Sequence, residues 1–263
     1  MSKKLGLALG AGGSRGVAHI GVLRALEEEG IKPSFIAGCS MGSVVGACYA
    51  NGMSCDKMLE AVLAIKTTKL IDPTALPLKN MGLFKGIKMN DLLLENIGDV
   101  AFDELEIPFC CVASDMLSGR LATLSEGKVT DAVRASSSMP AVFRPVRLNG
   151  MLLIDGGVLC RVPTEQVWDM GAEAVLAVDV LGNTGDSVKG VKNMVSMVLR
   201  VYDMMDYNQT QIKKSLTQRE NELWITPEIE GMSQYVVKDL ERAYEQGYAA
   251  TKAQMKEIKN LIK

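Results

Sequence analysis

Histidine is nearly missing from this chain: there is one, His19, among 263 residues. A serine nucleophile ordinarily takes its base from histidine. His19 falls at the start of a predicted helix, in Gly16-Val17-Ala18-His19-Ile20. Hydrolytic chemistry that does not use it must rest on a carboxylate. The six cysteines, at 39, 48, 55, 110, 111 and 160, show neither metal-ligand nor redox spacing. No metal or other cofactor is therefore expected, and the thiols are read as reduced. No apolar run approaches the roughly 18 residues of a membrane-crossing helix. Met1-Ser2-Lys3-Lys4 leads straight into an apolar strand without a cleavable apolar region, so the expected location is cytoplasmic. A net charge of -2 leaves no footprint for nucleic acid or for strong attraction to anionic membranes.

Apolar residues make up 48% of the chain, enough for one large core, and α/β folds of this length are routinely single domains. The most informative stretch is Gly38-Cys39-Ser40-Met41-Gly42, between a short apolar strand at Phe35-Ile36-Ala37 and a helix of small residues from Ser43 to Ala50. A Gly-x-Ser-x-Gly turn between strand and helix holds its serine in a strained conformation at a helix mouth, where amide dipoles favour developing negative charge. The pentapeptide also occurs as plain turn chemistry. The carboxylate candidate is Asp155 in Leu152-Leu153-Ile154-Asp155-Gly156-Gly157, where an apolar strand ends on an acid and two glycines. Such an aspartate commonly does no more than open a turn. Burial at a strand end would raise its pKa toward that of a useful base.

The third element is the apolar strand Leu5 to Leu9 running into Gly10-Ala11-Gly12-Gly13-Ser14-Arg15-Gly16 and then a helix. Successive amides in such a turn bind an anion, either a nucleotide pyrophosphate or the oxyanion of a tetrahedral acyl intermediate. The dinucleotide reading expects an acid at the end of the second strand, and that strand ends in Gly38-Cys39-Ser40 instead. No Gly-Lys-Ser/Thr is present to make a nucleoside triphosphate loop. Glycine loop and serine turn end adjacent strands of one β-α-β unit, so they should meet at one sheet edge.

Together these motifs resemble the patatin-like phospholipases, in their compact bacterial form. The resemblance runs through Ala11-Gly12-Gly13-Ser14-Arg15-Gly16, Gly38-Cys39-Ser40-Met41-Gly42, Arg134-Ala135-Ser136-Ser137-Ser138-Met139-Pro140, Asp155-Gly156-Gly157 and Val162-Pro163, over about residues 5 to 180. It implies acyl-ester hydrolysis by a Ser-Asp dyad without histidine. Ser40 would be the nucleophile, Asp155 the base, and the amides around Gly12, Gly13 and Ser14 the oxyanion hole. One departure is Ala11, where the family often has glycine. Arg15 is read as loop support through nearby carbonyls, with contact to a substrate phosphate as the alternative. The implied partners are acyl esters or lipids, met in transient contact with a membrane surface, and no nucleic acid. The alternative function is a regulatory or binding protein of the same fold with little turnover.

The remaining pattern predicts a three-layer α/β/α fold with a mostly parallel central sheet, one domain over 1-263, motif-bearing to about 180 and helical from about 191 to 263. A helix capped by Ser54 runs through Lys66, a loop spans Pro73 to Lys88, and a helix covers Asn90 to Ile97. A strand at Pro108 to Ala113 precedes a strand-turn-strand around 118-127 and a helix from Thr130 toward Pro140. Asn149-Gly150 marks a hairpin between Val146-Leu148 and Met151-Ile154. A helix near Thr164 to Met170 leads to a strand at Ala174 to Val180. Gly42, Gly46 and Ala50 predict a close-packed face on the helix after Ser40. The methionine-rich segment Met194 to Met205, after the Gly182-Gly190 linker, reads as a lid, an acyl-chain wall or a core helix. Ser233 to Ile262 predicts a long amphipathic helix that packs on the domain or pairs with a second copy.

Overall fold

The computed structural model describes residues 2-65, 72-77, 79-182, 191-216, 219-229 and 231-263. The predicted helix end at Lys66, Leu78 of the Pro73-Lys88 loop, and the linker from 183 to 190 lie outside the described residues. The chain begins with β1 (Leu5–Leu9), a 3-10 turn at Gly13–Val17 and α1 (Ala18–Glu28), then β2 (Phe35–Cys39) and α2 (Met41–Ala50). There follow α3 (Cys55–Leu63), β3 (Gly82–Phe84), α4 (Ile87–Ile97), β4 (Phe109–Asp115), β5 (Arg120–Leu124) and α5 (Val129–Ser136). Next come β6 (Ala141–Phe143), β7 (Val146–Leu148), β8 (Met151–Asp155), α6 (Thr164–Asp169) and β9 (Ala174–Val178). The last elements are α7 (Met194–Leu216), β10 (Glu222–Ile225), α8 (Leu240–Ala253) and α9 (Met255–Leu261).

The main sheet runs β10-β9-β1-β2-β4-β8-β7, with β5 also paired to β4. Pairings among β10, β9, β1, β2 and β4 are parallel, whereas β5, β8 and β7 join antiparallel, so the sheet is mixed with a parallel half. The antiparallel half follows from tight connections: Asn149 and Gly150 both take positive φ (49° and 79°), the I′ geometry that matches strand twist. Alternation along β1 decides its two faces. Leu5, Leu7 and Leu9 join the larger core with α1, α2 and α8, while Ala8 packs with Val167 of α6, Val175 and Ala177. Helices thus cover both sides of the sheet.

Several boundaries move for long-range reasons. The Pro73-Lys88 loop holds β3, which pairs in parallel with β6, and α4 starts at Ile87 because the Asp72 carboxylate accepts from the Gly86, Ile87 and Lys88 amides. The predicted C-terminal helix starts at Leu240, not Ser233. Residues 232-235 instead run along the glycine loop, where the Gln234 carbonyl accepts from the Ser14 amide. Once begun, α8 packs on α1 at a glycine pair: a Cβ on Gly21 would lie 2.1 Å from the Tyr244 carbonyl oxygen, and one on Gly247 would lie 2.0 Å from that of Ala18. The last helices therefore pack on the chain's own core. On α2, a Cβ at Gly42 would lie 2.2 Å from the Leu9 carbonyl oxygen, the tight approach the small-residue spacing predicts. Among the described residues, no helix is long and apolar enough to cross a membrane.

Candidate active site

Sheet register brings the two candidate residues level. Cys39 at the end of β2 pairs with Val112, so the next residue, Ser40, is level with Ala113, which pairs on its other side with Asp155 of β8. After Asp155 the chain turns across β4: a Cβ on Gly156 would lie 2.3 Å from the Val112 carbonyl oxygen, so only glycine fits this crossing. Side chains then close the remaining gap. The Ser40 hydroxyl donates to Asp155 Oδ2 at 2.7 Å, and Oδ1 accepts from the Gly157 amide at 2.9 Å.

Ser40 takes φ 51° and ψ -122°, a strained conformation for a residue with a side chain. Its backbone is clamped on both sides. The Ser40 amide donates to Ser136 Oγ at 3.0 Å, and the Ser40 carbonyl accepts from the Ser43 amide and from Ser43 Oγ. The motif carrying Ser136 also holds the acid, because the Ser138 carbonyl accepts from the Asp155 amide at 2.9 Å. Arg134 fixes this motif by donating to Ser138 Oγ and to the carbonyls of Lys85 and Gly86. Sequence reading finds the motif but assigns no role to Ser136 or Ser138, since both bonds join residues about a hundred positions or 17 apart.

Both members of the pair are buried, Ser40 at 7% exposure and Asp155 at 1%. Burial pushes the Asp155 carboxyl up to about 6, against the hydrogen bonds from Ser40 and Gly157 that favour its charged form. The lone histidine lies elsewhere: His19 Nε2 donates to the Gly10 carbonyl at 2.8 Å, and burial depresses its pKa to about 4.

The glycine loop lies at the end of β1, beside this pair. The Gly10 amide donates to the Val178 carbonyl and the Ala11 amide to that of Arg161. Ala11 has no positive φ and packs against Cys39 and Val112, so its methyl is accommodated. Among the described residues, the Gly12 and Gly13 amides have no acceptor. The Ser14 amide, expected in the same role, is taken by the Gln234 carbonyl at 3.0 Å, and Ser14 Oγ donates to the Ser233 carbonyl. Arg15 is buried and donates to the carbonyls of Met232 and Leu181, the supporting arrangement.

α7 roofs the pair, another feature outside the sequence pattern. The Tyr202 hydroxyl sits 2.4 Å from where a Gly157 Cβ would be. Asp206 pairs with Arg161 at 3.0 Å, and Arg161 also pairs with Asp179, which receives Lys214 at 2.9 Å. Burial, with Asp179 and Asp155 as nearby like charges, pushes Asp206 up to about 7 against the pull of Arg161.

This geometry has relatives among known proteins. Residues 7-168 match the family model described as patatin-like phospholipase. An uncharacterized NTE family protein of Mycobacterium tuberculosis is 37% identical over 184 residues, 69% of this chain and 50% of its own length. Patatin-like phospholipase domain-containing protein 6 of Homo sapiens is 32% identical over 198 residues, covering 71% of this chain and 14% of the relative. The chain thus spans half or less of the curated relatives it matches. In fold it resembles VipD from Legionella pneumophila, with a TM-score of 0.61 at 14% identity, over 97% of this chain and 67% of that one. With 162 of its 263 residues under the family model, and the mycobacterial protein matching 69% of its length, the chain belongs to the patatin-like phospholipase family.

Proposed function

We propose that this chain is a serine acyl hydrolase of lipid or related carboxylic esters, working through Ser40 and Asp155. One observation carries the reading: a strained serine at a helix mouth donates at 2.7 Å to a buried aspartate whose pKa is raised to about 6. Asp155 takes the hydroxyl proton as Ser40 Oγ attacks the ester carbonyl, and the C–O bond to the alcohol breaks as that proton passes to the leaving oxygen. Water then attacks the acyl-enzyme, giving its proton to the same carboxylate and releasing the acid. The amides of Gly12 and Gly13 are the donors available to the oxyanion, and removing one such donor typically costs about 10²- to 10³-fold in rate. Ester is preferred over amide because a carboxylic acid of this kind is poorly matched to protonating an amine leaving group.

The test is hydrolysis of p-nitrophenyl esters from acetate to palmitate and of a lysophosphatidylcholine by wild type, Ser40→Ala, Asp155→Asn and His19→Ala. Wild type and His19→Ala should turn over, and the other two should be dead. Wild type inactive on every ester leaves the binding or regulatory reading, and a dead His19→Ala contradicts the histidine-free dyad. Turnover should persist in EDTA; loss in chelator that a metal restores contradicts the mechanism.

A further inference from the structure

We infer that the outward face of α7 is the surface by which this chain docks on a phospholipid bilayer. The helix has 23 residues, about 35 Å at the usual rise. Its inward face is polar and held to the protein: Asp203, Asp206 and Thr210 are buried, and Lys213 donates to the Val162 carbonyl. Its outward face is the reverse. Met194, Met197, Val201, Met204, Met205 and Ile212 recur at helical spacing and are all exposed, Met194 at 67% and Met205 at 58%. A core helix does not leave such a stripe in water.

Charge identifies the occupant. Both acids of α7 are turned inward, and the charges at its rim, Lys192, Arg200, Lys213 and Lys214, are basic. The chain's net charge of -2 does not describe this face. An apolar, acid-free stripe with a basic rim matches hydrocarbon beneath phosphate headgroups. A second copy would bring the same stripe and the same basic rim, with no acid to answer it. Methionine adds side chains that adapt to fluid acyl chains. The same helix lays Tyr202 over the Ser40–Asp155 pair, so docking sets the roof of the site against the lipid. The choice of lipid as partner rests on the acyl-hydrolase reading above.

The experiment is flotation of the full chain with vesicles of phosphatidylcholine alone and of phosphatidylcholine with phosphatidylglycerol. It uses wild type, Ser40→Ala, and a variant carrying Met197→Gln, Val201→Gln, Met204→Gln and Met205→Gln; Met197→Gln/Met204→Gln replaces the last if it fails to fold by circular dichroism. Wild type and Ser40→Ala should float, more strongly with the anionic lipid. The stripe variant should partition on the order of a hundredfold more weakly, with hydrolysis of a soluble short-chain ester unchanged. Wild type that stays unbound, or a stripe variant that floats like wild type, overturns the inference. So does a wild-type dimer that the stripe substitutions convert to monomer without any vesicle binding. Vesicle binding lost with the stripe in a wild type that cleaves no ester would sustain the surface while removing the hydrolase.

Discussion

At the scale of residues, Asp155 carries two opposed consequences of burial. Its folded pKa, about 6, lies above the ordinary 3.8. As a base it must be ionised, so kcat/KM is expected to rise with pH through about 6 and level above it; a midpoint near 4 would mean the carboxyl is not desolvated. The same shift weakens the fold. Between about pH 4 and 6 the unfolded aspartate has released its proton while the folded one keeps it, so stability falls as pH rises through that window. Asp155→Asn should therefore stabilise the protein at pH 8 by on the order of 1–3 kcal/mol and give no gain below pH 4, read by thermal unfolding at both. Ser136 acts through Ser40. Removing its hydroxyl by Ser136→Ala leaves the Ser40 amide unsatisfied in a buried site, a cost of about 1–3 kcal/mol. It should lower kcat on the order of ten- to a hundredfold with KM little changed, because the nucleophile is displaced rather than the substrate weakened. Equal changes in both constants would argue for a binding role.

At the scale of elements, the motifs legible in the sequence are those whose signal is local. The turns after β1, β2 and β8 each place glycines around one chemically distinct residue, and each is where the pattern puts it. What is not legible depends on partners far along the chain. The strand β10 has its edge on β9 and its Trp224 under Lys214, whose ammonium sits 4.6 Å from the ring centroid. The stretch 232-235 carries helix-compatible periodicity but gives its carbonyls to Ser14 and Arg15, more than 200 residues earlier. The Arg161, Asp179 and Asp206 cluster is equally silent in sequence, being three separate residues until α7 packs down. Replacing Arg161 with Leu leaves two buried carboxylates without their cation and is expected to cost about 3–5 kcal/mol, measured by urea unfolding. A loss below 1 kcal/mol would mean that the cluster does not fasten α7. Gly42→Ala tests the approach of α2 to β1: overpacking there should cost about 1–3 kcal/mol or more.

At the scale of the whole molecule, a parallel half-sheet delivers the glycine loop and the serine turn to one edge, and an antiparallel hairpin brings the acid back across β4 to meet them. The central claim is that these pieces make Ser40 a nucleophile driven by Asp155. The most direct measurement is mass spectrometry of the intact protein and its peptides after exposure to a fluorophosphonate, which captures an activated serine. The account predicts one adduct, on Ser40, forming at similar rates in wild type and His19→Ala, much more slowly in Asp155→Asn, and not at all in Ser40→Ala. An adduct on another serine, or Asp155→Asn reacting as fast as wild type, would contradict it.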